Sequence, residues 1–118
     1  MHSEQISAFL KFLQQVRSDY TYCYEQVGQA DKLTQDLLHD LEPEELGYRE
    51  RAKIATRLRQ ARRDRRENKD MVEVTGKFLA VIDQPQVAKV IESFKQMLGE
   101  VRKVEQYHVN RTYKRRIM

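Results

Sequence analysis

The chain has 118 residues, 40% apolar and 34% charged, with four glycines and two prolines. That length suits one domain rather than two, and so little Gly and Pro argues against a many-stranded β fold and for long helices. The net charge of +4 hides an uneven spread, because residues 1–50 carry 4 basic and 10 acidic side chains while residues 51–118 carry 18 and 8, a balance of −6 against +10. A folded hairpin would bring these fields together, and the positive surplus would still attract anions, acidic proteins or nucleic acid.

A single cysteine, Cys23, excludes an intramolecular disulfide framework and is compatible with a reducing cytosol. The opening stretch, MHSEQISAFLKFLQQV, has neither a basic start nor a long apolar run. The expectation is a cytoplasmic protein with no membrane span.

In the first third, apolar or small residues recur in alternating steps of three and four: Ile6, Phe9, Leu13, Val16, Tyr20, Cys23, Val27, Ala30, Thr34, Leu37 and Leu41. This spacing predicts a helix over about residues 4–41. Leu10, Tyr24 and Leu38 widen the stripe, Ser3 could cap its start, and Pro43 ends it. Cys23 falls on the apolar seam, where a small buried thiol is the simpler reading than a nucleophile.

A second helix is expected over about 45–82, with Glu44 and Glu45 suiting a helix start. Its seam opens at Ile54, Ala55 and Leu58 and resumes at Val72, Leu79 and Ile82. Between them the stripe runs through Ala61, Arg65 and Asn68 in one phase, or Arg62, Arg65 and Lys69 in the other, so Arg65 turns inward in both. At DQPQV, Asp83 could cap a third helix with Pro85 in its first turn. Val87, Val90, Phe94, Met97, Val101, Val104 and His108 then form its seam over about 85–109, with Ile91 and Leu98 beside them. Gly99 interrupts this helix, which calls for a close approach or a bend in compensation. A basic tail, 110–118, ends the chain.

Short connections imply antiparallel neighbours, so the predicted fold is all-α: an elongated antiparallel three-helix bundle of coiled-coil type, two long helices and one shorter, forming a single domain over 1–118. Reflection through a turn at Pro43 pairs residues of the first two helices whose numbers total about 87. Arg65 would then face Tyr22, and Arg62 would face Glu25. Reflection through the second turn sets Glu100 and Val101 at the same level. The waist would combine arginines, the tyrosine pair Tyr20 and Tyr24, and the acids Asp19, Glu25 and Glu100.

The stretch ARRDRRENKD carries five basic residues in ten. Arginine stems could snorkel along the interface, pair with these acids or lie over tyrosine rings, and a polar layer could fix register. Yet Arg57, Arg59, Arg62, Arg63, Arg65, Arg66 and Lys69 outnumber the nearby acids. Forked guanidinium groups grip phosphate or carboxylate, and aromatic faces stack on a base. Tyr20, Tyr24, Arg62, Arg65, Arg66 and Lys69 are therefore the candidate ligand-binding residues, with Arg111, Lys114, Arg115 and Arg116 as candidate contacts to a macromolecule or nucleic acid.

Other chemistry is not signalled. His2, His39 and His108 have no metal-ligand spacing with Cys23. No phosphate-binding Gly-rich loop, serine elbow or paired-His motif is present, so neither a cofactor nor an enzymatic activity is expected.

At ADKLTQDLLHDLE, YRERAKIATRLRQARRDRRENKD and EQYHVNRTYKRRIM the chain resembles small helical accessory proteins encoded by phages and prophages of Gram-positive bacteria. The resemblance implies an anti-defence protein acting on host components in the host cytoplasm. Two roles fit that setting. One is a sponge sequestering a small anionic, nucleotide-like signal at the waist. The other is an inhibitor or adaptor holding a host protein or nucleic acid through helical faces and the basic tail. Broad apolar stripes point to a homo-oligomer in either case.

Overall fold

A computed structural model of the protein describes residues 1–111. These form three helices and no strand: α1 (His2–Asp40), α2 (Tyr48–Ile82) and α3 (Pro85–Asn110). The all-helical expectation holds, with helices packed side by side as in a bundle. The chain nevertheless divides into two compact units, one joining Met1–Gln14 to the segment that starts at Val81, the other comprising Gln15–Ala80.

Helix α1 starts two residues before its expected position. The Glu4 N–H donates to the Met1 carbonyl at 3.2 Å, so Met1 opens the helix and Ser3 lies inside it, buried, rather than capping it. At the other end the Leu41 and Glu42 N–H groups donate to the carbonyls of Leu38 and His39, closing the last turn before Pro43. Helix α2 begins at Tyr48 rather than near 45, because its first carbonyl is that of Gly47, which accepts the Arg51 N–H at 3.1 Å.

The α2–α3 break is confined to Asp83 and Gln84. Proline disfavours helical backbone in the residue before it, and Gln84 is extended (φ −64°, ψ 135°) with Pro85 in the first turn of α3. The cap position is thus Gln84 rather than Asp83, and the Gln84 side chain makes no capping bond.

In the 15–80 unit the expected seams form. On α1, Val16, Ala30 and Leu37 are buried and Tyr20, Cys23, Val27 and Thr34 half-buried. On α2 the inward positions are Ile54, Leu58, Ala61, Arg65, Asn68, Val72, Thr75 and Leu79, which selects the phase through Ala61 and leaves Arg62 and Lys69 exposed. The buried hydroxyl of Thr75 donates to the Met71 carbonyl at 2.7 Å, and the half-buried one of Thr34 to the Ala30 carbonyl at 2.8 Å.

Facing positions differ from the reflection expected about Pro43. Arg65 meets Asp31 and Gly76 meets Tyr20, so facing numbers total 96 rather than about 87. The connection causes the offset. Residues 41–47 are not helical, and at this register residues 48–55 have no α1 helical residue opposite, so α2 runs on past the end of α1 before the two helices overlap.

In the other unit, Ser3 and Leu10 of α1 and Leu98 of α3 are buried. The inward stripe of α3 is Val87, Ile91, Phe94, Leu98, Val101 and Glu105, not the expected one through Val90, Met97, Val104 and His108. The two stripes share Val87, Phe94 and Val101. The inner one turns Ile91 and Leu98 inward and leaves Val90, Met97 and Val104 exposed. Likewise Leu10 turns inward and Phe9 stays 46% exposed. The close approach expected at Gly99 is not seen, since a Cβ there would meet nothing within 4 Å.

Candidate functional site

Arg62, Arg65, Arg66 and Lys69 project from one side of α2, where a 3.6-residue period brings positions i, i+3, i+4 and i+7 together. With Asp70 and Glu73 they line a concavity of about 400 Å³. Four cations against two carboxylates leave it positively charged.

One of the four is committed. Arg65 Nε donates to Asp31 Oδ1 at 2.7 Å across the α1–α2 seam, with both side chains partly exposed (38% and 53%). Arg62, Arg66 and Lys69 have no ion-pair partner among the described residues. Arg59 and Arg63 adjoin them, and all five of these basic side chains are exposed. Only Arg65 of the series turns inward.

The tyrosines do not join this cluster. Tyr20 and Tyr24 stack on each other, with ring centroids 6.0 Å apart and planes inclined by 26°. Tyr20 lies against Gly76, whose hydrogen-sized side chain leaves a Cβ position 3.7 Å from Tyr20 Cε2. Gly76 is seven residues beyond Lys69, about 10 Å along the helix. The expected neighbours of Arg65 and Arg62, Tyr22 and Glu25, are displaced by the same shift in register, and Glu100 and Val101 belong to the other unit.

Asp31, absent from the expected site, is the ion-pair partner of Arg65. No local motif marks it. Only the seam position of Arg65 combined with the true facing register identifies it.

Cys23 is a free, half-buried thiol. Burial first, and the Asp19 carboxylate second, push its pKa above the ordinary thiol value, which suits a packed side chain and not a nucleophile. No group of three or more His, Cys, Asp or Glu among the described residues could hold a metal ion. None of the described helices is long and apolar enough to cross a membrane. Arg111 is exposed at the end of α3, and Lys114, Arg115 and Arg116 lie outside the described residues.

Compared with protein-family models, with curated proteins and with solved structures, the chain matches none of them.

Proposed function

We propose that the protein is a non-enzymatic binding protein that holds a phosphate-bearing anion against the Arg62, Arg66 and Lys69 face of α2. What supports this reading is the concavity itself: Arg62, Arg66 and Lys69, without ion-pair partners among the described residues, line it together, and Arg65, tied to Asp31, lies beside them. Guanidinium groups form paired, charge-assisted hydrogen bonds to phosphate oxygens. Sequestration of a small nucleotide-like signal by a phage-encoded accessory protein is the role consistent with the sequence resemblance. Recognition then rests on phosphate, because the tyrosine pair is about two turns away.

Nucleic-acid backbone is the second reading, favoured by the contiguous exposure of Arg59, Arg62, Arg63, Arg66 and Lys69. A duplex engaging five such residues would lose affinity with a slope of roughly −4 to −5 in log K against log salt, at about −0.9 per phosphate.

Thermal shift with nucleotides, cyclic nucleotides and a short duplex, at low and moderate salt, tests both. A ligand at 100 times its dissociation constant adds about 2.7 kcal/mol, a shift of several degrees. A shift with a mononucleotide-sized ligand that disappears in Arg62→Ala/Arg66→Ala supports sequestration. A shift with the duplex alone, steeply reduced by salt, moves the function to nucleic acid. No shift in either set removes the anion site.

A further inference from the structure

The concavity on α2 has two ends of opposite sign. Arg62, Arg66 and Lys69 lie toward its N-terminal end, and Asp70 and Glu73 close its C-terminal end. Arg62, Arg66, Lys69 and Glu73 follow in steps of four, three and four, so they share a stripe that rises about 16.5 Å along the helix. Asp70 flanks that stripe one turn beyond Arg66.

Opposite charges four residues apart on a helix are neighbours, yet here they stay separate. Neither Arg66 with Asp70 nor Lys69 with Glu73 forms an ion pair, and both carboxylates are exposed without an ion-pair partner among the described residues. In both pairs the cation precedes the acid, which is the weaker orientation on a helix. The carboxylates therefore keep their acceptor capacity for something else.

The lining also restricts what can enter. Every residue around the concavity is charged, so no aromatic or aliphatic side chain is offered to a nucleobase, and the Tyr20–Tyr24 stack belongs to a level farther along α2. A guanidinium can lie on a base face, but every base has such a face, so this contact does not choose between bases. The concavity is satisfied by a ligand with anionic oxygens at one end and hydroxyl donors at the other. Arginine and lysine take the first, and a carboxylate accepts hydrogen bonds from the second. Ribose phosphate has this layout, because its phosphate and its vicinal hydroxyls project from opposite sides of the ring.

Resting on the anion reading above, we propose that the site takes the ribose phosphate portion of a nucleotide and leaves the base in solvent. Phosphate lies on Arg62, Arg66 and Lys69, and the vicinal hydroxyls donate to Asp70 and Glu73. The site is then indifferent to the base, selective for ribose over its deoxygenated forms, and less receptive to bare phosphates, which the two carboxylates repel.

Isothermal titration calorimetry of the full chain with ADP, GDP, dideoxy-ADP (which lacks both ribose hydroxyls) and inorganic pyrophosphate provides the test. ADP and GDP should bind within about twofold of each other, and dideoxy-ADP about tenfold more weakly than ADP, as expected for losing hydrogen bonds to charged acceptors. Ribose phosphate should match AMP, because the base makes no contact. Asp70→Ala/Glu73→Ala should keep its helical circular dichroism, since both positions are exposed and alanine favours helix. In that variant dideoxy-ADP should bind almost as well as ADP, while pyrophosphate binds more tightly than it does to the wild type. Carboxylates that act only by repulsion would instead strengthen every ligand together on removal and leave the ribose preference unchanged, which overturns the proposal. Equal binding of ADP, dideoxy-ADP and pyrophosphate by the wild type overturns it too, but leaves the anion reading standing. So does a preference for one base above about fivefold, or AMP binding that far exceeds ribose phosphate, both of which require contacts to the base. Binding by none of these probes removes the anion reading and this proposal with it.

Discussion

Arg65 stands where a coiled-coil seam ordinarily holds an aliphatic residue, between Ala61 and Asn68, and its guanidinium reaches Asp31 at 2.7 Å. Both side chains keep contact with water, so solvent screens the pair and removing it strands no buried charge. Arg65→Ala should therefore lower stability by no more than about 1 kcal/mol, whereas Arg65→Met, which restores apolar contact in the seam, should leave the urea midpoint unchanged or raise it. A large loss in both variants would mean that the pair holds the helices together more strongly than its exposure allows. Cys23 gives a second check at this scale. With burial and Asp19 raising its pKa, the thiol holds its proton at neutral pH. Alkylation by iodoacetamide near pH 8 should be several-fold slower in the folded chain than in urea, and equal rates would contradict this packing. The inward turn of Arg65 was legible in the sequence, since both phases of the α2 seam required it. Its partner was not, because the heptad pattern fixes which face turns inward but not the level at which two helices meet. Connection length and geometry decide that level, and residues 41–47 shift it by about nine positions.

Among the elements, α1 follows its spacing from Val16 onward, and α2 follows the one of its two open phases that runs through Ala61. Helix α3 was ambiguous because two stripes share Val87, Phe94 and Val101, and only the packed chain distinguishes them. The glycines are the least constrained feature of these elements. Gly28 in α1 and Gly99 in α3 are mid-helix, and a Cβ at either meets nothing within 4 Å. Gly28→Ala and Gly99→Ala should each raise stability by about 0.5–1 kcal/mol through a smaller loss of backbone entropy on folding, read as a melting temperature a few degrees higher. Gly76→Ala should be similarly mild, since its Cβ would make an ordinary contact with Tyr20 at 3.7 Å. A loss at Gly99 instead would place that face of α3 against an additional partner.

At the scale of the whole chain, the acidic first half and basic second half meet at the Asp31–Arg65 pair, yet Arg62, Arg66 and Lys69 stay unpaired among the described residues. The charge asymmetry is thus only partly answered within the molecule, and the surplus is concentrated on one side of one helix. Hydrogen exchange should be slowest around Ala30, Leu37 and Ala61, where the 15–80 unit is buried, and fastest toward residues 107–110, whose side chains are all exposed.

The small set of buried apolar side chains among the described residues also has a thermal consequence. The heat capacity of unfolding grows with the apolar surface newly hydrated, and chains of this length ordinarily give about 1.4–1.8 kcal/mol/K. A single copy with so few withdrawn aliphatic groups should fall below that range in calorimetry, and its stability curve should be correspondingly flat. Such a protein would change little in stability over tens of degrees on cooling, and its cold and hot limits would lie unusually far apart for so modest a maximum.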